Sequence, residues 1–135
     1  GGILGKRLLL TVGDIMRRGA GHPVVGERLA VKKVLLAITK ARAGSASVVN
    51  ASGKLIGIFT DGDLRRHIES VPDLVHRRVG DIMTRKPTVI TQDKLAAEAF
   101  DIMRSRKIDE IPVVDRSGRP VGLVDVQDLL KAGLV

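Results

Sequence analysis

Thr60 and Asp63 stand three residues apart in Gly57-Ile58-Phe59-Thr60-Asp61-Gly62-Asp63-Leu64, where an apolar run stops at a hydroxyl, two carboxylates and a glycine before a helical pattern begins. The junction reads as a strand running into the first turn of a helix, so the two side chains share one face of that turn. First-turn amides lack internal partners and carry the positive end of the helix dipole, which suits an anion such as phosphate. A hydroxyl beside free amides can bind a phosphate oxygen, and a carboxylate one turn along can accept hydrogen bonds from two neighbouring sugar hydroxyls. The same residues also make a plain helix cap, with Thr60 or Asp61 capping and Asp63 adding favourable first-turn charge.

Little else has the spacing of a reactive site. His22, His67 and His76 are scattered without ligand-like spacing, read as ordinary surface histidines, and call for no metal. There is no cysteine, which removes thiolate chemistry and disulfides and fits a cytoplasmic protein. No nucleophile sits beside a base, so catalysis by these residues is not expected. Met16, Met83 and Met103 fall in apolar stripes and read as core. No apolar run approaches the ~18 residues of a membrane span, and no signal-peptide layout opens the chain. With 135 residues the chain can bury roughly two thirds of its unfolded surface.

The net charge of +8 and a pI near 10.4 point to an anionic partner. Residues 1–67 hold 12 Lys and Arg against 4 Asp and Glu, whereas residues 68–135 hold 11 of each, so all the excess lies in the half that carries Thr60. Two phenylalanines, with no tryptophan or tyrosine, leave few platforms for stacking the bases of single-stranded nucleic acid.

The elements that position Thr60 and Asp63 occur twice. Val12-Gly13-Asp14-Ile15-Met16 recurs unchanged as Val79-Gly80-Asp81-Ile82-Met83, and Val48-Val49-Asn50-Ala51-Ser52-Gly53 returns as Val113-Val114-Asp115-Arg116-Ser117-Gly118. The opening stretch itself returns as Gly122-Leu123-Val124-Asp125-Val126-Gln127-Asp128-Leu129. Each copy reads as a short extended piece (Val24-Val25; Thr88-Val89-Ile90), a helix, two strands (47–49 and 55–59; 111–114 and 120–124) and a last helix beginning at Asp61 or Val126. Leu29, Val34, Leu35, Ile38 and Ala41 form the apolar stripe of the first long helix. Leu95, Ala99, Phe100, Ile102 and Met103 form that of the second, with Asp93 as its expected cap. The fold class is therefore α/β (α+β), with β-α-β-β-α units in tandem. Residues 12–70 form repeat 1, 71–78 a linker and 79–135 repeat 2, while 1–11 read as a linker from a missing N-terminal domain.

On these residues the chain resembles a tandem pair of cystathionine-β-synthase-type (CBS) domains over residues 12–132. The Asp-Ile-Met starts, the Val-Val-Asn/Asp hairpins and the Gly-x-x-Thr-x-x-Asp-Leu stretch at 57–64 carry the resemblance, in order and in two copies. Leu8-Leu9-Leu10-Thr11 leading into the first Asp-Ile-Met, Arg65-Arg66 after the motif, and Asp128-Leu129-Leu130-Lys131-Ala132-Gly133 give a narrower resemblance. They look like the C-terminal regulatory part of arabinose 5-phosphate isomerases, whose catalytic domain is absent from these residues.

The resemblance implies repeats packed about a pseudo-twofold axis, with two clefts that take adenosine nucleotides or related ligands such as AMP or ATP. Thr60 would contact phosphate or ribose and Asp63 the ribose hydroxyls, with Asp61, Arg65, Arg66 and Lys107 nearby. Backbone near the base would come from Val24 and Val25 or Thr88 and Val89, and from Gly44, Ser45 and Ala46 or Glu110 and Ile111. Gly44 and Ser45 are small where many CBS proteins carry bulky basic residues, which implies room for a larger ligand. In the second cleft Asp128 takes the ribose position, but Asp125 replaces the threonine. At ~5 Å and an effective dielectric near 20, a carboxylate facing a phosphate costs roughly 3 kcal/mol, about a hundredfold in affinity. The cleft of Thr60 is thus expected to be the better site.

Arabinose 5-phosphate isomerases stand at the head of the route to the sugar acid Kdo, activated as CMP-Kdo for lipopolysaccharide biosynthesis. The resemblance therefore implies a regulatory module that senses a nucleotide or nucleotide sugar, CMP-Kdo foremost, works with an isomerase domain of the same chain, and pairs as a homodimer through its CBS domains. No cofactor and no membrane partner are expected. A purely structural dimerisation module is the main competing reading. Nucleic-acid binding is allowed by the pI but opposed by the missing aromatics and the neutral second half.

Overall fold

The computed structural model describes residues 8–134, so residues 1–7 of the expected N-terminal linker lie outside the described residues. Along the chain run α1 (Val12–Ile15), β1 (Val24–Gly26), α2 (Val31–Ala41), β2 (Ser45–Val49), β3 (Leu55–Thr60) and α3 (Asp61–His67). Then follow β4 (Thr84–Arg85), α4 (Ala96–Arg106), β5 (Glu110–Val114), β6 (Pro120–Asp125) and α5 (Val126–Lys131), the mixed α/β architecture expected.

The hairpin sequences that repeat also fold alike. Asn50 Oδ1 accepts from the amides of Ser52 and Lys54, both at 3.0 Å, and Asp115 Oδ1 accepts from those of Ser117 and Arg119 at 2.9 and 3.0 Å. Gly53 (φ +82°) and Gly118 (φ +84°) take the left-handed conformation that closes each turn. β2 and β3 are antiparallel, as are β5 and β6, with the same register irregularity before each turn.

β1 adds to β2 in parallel and β4 to the far edge of β3, giving a four-stranded sheet in the order β1-β2-β3-β4. The second sheet is reduced to β5-β6, flanked by single bridges at Ile90–Val113 and Arg17–Leu123. The extended piece expected at Thr88-Val89-Ile90 is thus only one bridge. Ser47 donates its amide to the Pro23 carbonyl at 2.9 Å in the first copy, but its counterpart Pro112 has no N–H to offer, so that edge does not zip.

The two cores do not follow the sequence repeat. One gathers Val31, Val34, Ile38, Val48 and Phe59 of the first copy with Val79, Ile82 and Met83, the start of the second. The other gathers Ala96, Ala99, Met103, Ile111, Val113 and Leu129 with Val12 and Met16, the start of the first. The two Asp-Ile-Met segments are exchanged. Met83 Sδ would lie 2.3 Å from a Cβ at Gly57, and Met16 Sδ 2.5 Å from one at Gly122, so each glycine is the seat of the other copy's methionine.

The exchange also replaces the expected helix cap. Asp93 does not cap α4; it accepts from the Thr91 hydroxyl, and Leu95 at the N-cap makes no side-chain bond. The Ala96 amide is taken by the Leu10 carbonyl at 2.8 Å, as the Val31 amide is by Arg77 at 2.9 Å, so incoming backbone satisfies both helix starts. Leu29 lies just before α2 rather than on it. The segment 71–78 does more than link, since Leu74 is 5% exposed within the first core. His22 is not a surface residue: it is buried, with Nε2 3.1 Å from Ser47 Oγ, and burial lowers its pKa.

Candidate functional site

At the end of β3 the plain cap is what forms. Thr60 Oγ1 accepts from the Asp63 amide at 3.2 Å while Asp63 Oδ2 accepts from the Thr60 amide at 2.9 Å, a capping box. Thr84 Oγ1 donates to Asp63 Oδ1 at 2.7 Å, and Arg66 pairs with the same oxygen. Asp63 is 1% exposed, so its carboxylate is a buried junction between α3 and β4 rather than an open acceptor. α3 has only seven residues, and its Asp63 amide is already used, which removes much of the anion seat the sequence offered.

What opens beside this junction is a cleft of about 530 Å³. It brings together Gly44, Thr60, Asp61, Arg65, Arg66, Thr88, Lys107 and Glu110 from the residues singled out in the sequence. It does not include Asp63, Val24, Val25, Ser45, Ala46, Val89 or Ile111. Ser45, Ala46 and Ile111 are fully buried in their strands, Val25 belongs to the first core, and Val24 and Val89 face solvent.

Sequence reading missed Thr84, Lys86, Ile108 and Pro112, which also line the cleft. Thr84 was accessible as the residue following the second Asp-Ile-Met, but only the exchange carries it to Thr60. Four cations therefore border the cleft: Arg65 and Arg66 from the first half, Lys86 and Lys107 from the second. The charge count by sequence half was a poor guide for the same reason.

The room expected over Gly44 is taken. A Cβ there would fall 2.0 Å from Glu110 Oε1, so the glycine exists to admit that carboxylate. Burial pushes the Glu110 carboxyl up; contact with the Ser45 hydroxyl opposes this, and Asp125, Asp109 and Asp61 add to the rise. Ser45 Oγ, fully buried, has no well-formed hydrogen bond.

At the corresponding place in the second copy, where the resemblance implies the other cleft, Arg17 lies across Asp125 and Asp128. Its Nε donates to Asp128 Oδ2 at 2.8 Å, its Nη1 to the Arg42 carbonyl at 2.8 Å, and its Nη2 lies 3.7 Å from Asp125 Oδ2. Asp125 also caps α5 by accepting from the Gln127 amide at 2.8 Å. Hydrogen bonding to Asp128 first, and then the neighbouring carboxylate charges, hold Arg17 more firmly protonated. The two carboxylates of the second copy are thus occupied by a cation of the chain itself. Among the described residues no three His, Cys, Asp or Glu side chains are grouped for a metal, and no helix is long and apolar enough to cross a membrane.

The sequence pattern of the CBS domain matches residues 12–70 and again 79–135. The arabinose 5-phosphate isomerase KdsD of Pseudomonas aeruginosa is 42% identical over all 135 residues, which span 41% of that protein. The chain thus covers well under half the length of the curated isomerases it matches, and CBS domains account for nearly all of it. Among solved structures, CBSX2 in complex with AMP superposes with a TM-score of 0.80 at 26% identity, covering 93% of this chain and 96% of that one. The CBS domain pair of protein MJ0100, in complex with 5′-methylthioadenosine and S-adenosyl-L-methionine, does so with a TM-score of 0.82 at 23% identity, covering 94% and 99%. With its two matched copies and its duplicated hairpins, this chain belongs to the CBS domain family as a tandem pair.

Proposed function

We propose that this CBS pair is the sensing module of an arabinose 5-phosphate isomerase and binds one nucleotide or nucleotide sugar per chain, CMP-Kdo foremost. The observation that carries this is the contrast between the clefts. One is open with Arg65, Arg66, Lys86 and Lys107 around it, and its counterpart is closed on its own Arg17. The kinship with KdsD supports the pathway, and the AMP of CBSX2 supports a nucleotide as the class of ligand.

The phosphates would lie among the four cations, where charge-assisted hydrogen bonds are strong. For Asp63 to hold the ribose, Arg66 has to leave Asp63 Oδ1 and turn to the phosphate. Binding then opens a lone pair of Asp63 Oδ1 to the sugar, while Thr84 on that same oxygen and the Thr60 amide on Oδ2 keep the carboxylate in place. Isothermal titration of the 135-residue chain with CMP-Kdo, AMP and ATP tests this. Heat with a stoichiometry near one is expected, and no heat from any of them with folded protein would overturn it.

A further inference from the structure

We infer that Glu110 reads the base of the bound nucleotide and selects those carrying an exocyclic amino group, cytosine or adenine, over those with a carbonyl in its place, uracil or hypoxanthine. This rests on the nucleotide reading above. Of the other acids around the two clefts, Asp63 is paired with Arg66, Asp125 and Asp128 with Arg17, and Asp61 and Asp109 stand exposed on the rim of the open cleft. Glu110 lines the open cleft and, among the described residues, enters no salt bridge.

Glu110 and Ser45 occupy the same position in the two copies, each opening its second strand, and they meet where the copies face one another beside Gly44. Ser45 Oγ is the one buried side-chain polar atom among the described residues without a partner. With no ion pair and only the Ser45 hydroxyl beside it, the carboxylate is held against Gly44 with acceptor capacity to spare. Ile108 and Pro112, two residues to either side of it, also line the cleft and offer apolar walls to a planar ring.

An ionised carboxylate only accepts, so it pairs with an amino group and opposes a carbonyl oxygen. A protonated one, like an amide, both donates and accepts and would take either base, so the selection belongs to the ionised carboxylate.

The test is titration of the 135-residue chain, and of Glu110→Gln, with CMP against UMP and AMP against IMP. The wild type is expected to prefer the amino member of a pair by about tenfold or more, as sites built to hydrogen-bond a ligand group do. Glu110→Gln can turn its amide to accept or donate and should bind both members within about twofold, by gaining affinity for the keto base, which a merely structural role would not produce. Equal binding of both pairs by the wild type overturns the inference alone, as does a wild-type ratio kept by folded Glu110→Gln. If neither CMP-Kdo nor any of the four binds the wild type, the nucleotide reading fails and takes this inference with it; if CMP-Kdo alone binds, equal affinity for the wild type and Glu110→Gln overturns the inference.

Discussion

Arg17 lays its guanidinium on Asp128, Nε 2.8 Å from Oδ2, at the position where Thr84 donates its hydroxyl to Asp63 at 2.7 Å in the other cleft. The two residues follow identical pentapeptides, so the first difference after Met16 and Met83 puts a cation on the one carboxylate and a hydroxyl on the other. Arg17→Thr leaves Asp125 and Asp128 facing each other without their cation. A loss of roughly 2–3 kcal/mol in stability is expected, at or below the low end for breaking a buried pair because Arg17 is 16% exposed. Urea denaturation checks it. Nucleotide stoichiometry should stay at one, since both freed carboxylates then repel phosphate.

Asp63 holds more of the fold than Thr60 does. Thr60→Ala removes one cap and should cost about 1 kcal/mol. Asp63→Ala strands the Thr60 amide, the Thr84 hydroxyl and Arg66 together and should cost roughly 2–3 kcal/mol. Thermal melting of the two variants side by side should show this order.

The exchange makes a specific demand on double substitutions. Gly57→Ala drives a Cβ into Met83 and, at 2.9 Å, the Thr84 carbonyl; Gly122→Ala does the same to Met16 and, at 2.9 Å, the Arg17 carbonyl. Each should destabilise by about 2 kcal/mol or more. Met83→Ala should partly relieve Gly57→Ala, whereas Met16→Ala, which lies in the opposite core, should simply add to it. Double-mutant cycles by chemical denaturation separate these outcomes.

One buried and one half-buried group give opposite pH slopes. His22 is lowered from 6.5, so just below that pH the unfolded chain binds a proton the folded chain refuses, and stability falls as pH drops. Glu110 is raised from 4.5, so above that pH the folded chain keeps a proton the unfolded chain has lost, and stability falls as pH rises through the folded value. Difference curves of unfolding free energy against pH should show His22→Gln removing the acid-side decline and Glu110→Gln removing the other.

Local chemistry was legible in the residues. Asn50 with Gly53 and Asp115 with Gly118 each contain a whole turn, and the Thr60–Asp63 spacing contains a whole cap, so the hairpins and the strand–helix junction follow from a few neighbouring side chains. The exchange was not legible, because Val12 to Met16 and Val79 to Met83 are identical and either copy fits either core. The contacts of Arg17 with Asp128 and of Glu110 over Gly44 depend on that exchange and were hidden with it. Pro112 could have been found: a proline where the other copy has Ser47 already foretells a weakened edge.

The crossed seating of the two Asp-Ile-Met segments also decides what the N-terminal stretch is anchored to. Through the Leu10 carbonyl, Val12 and Met16, residues 10–17 are moored to α4 and β6 in the half built from residues 90 to 134 rather than in the half they precede, and α4 runs at its far end into Lys107 and Glu110 of the open cleft.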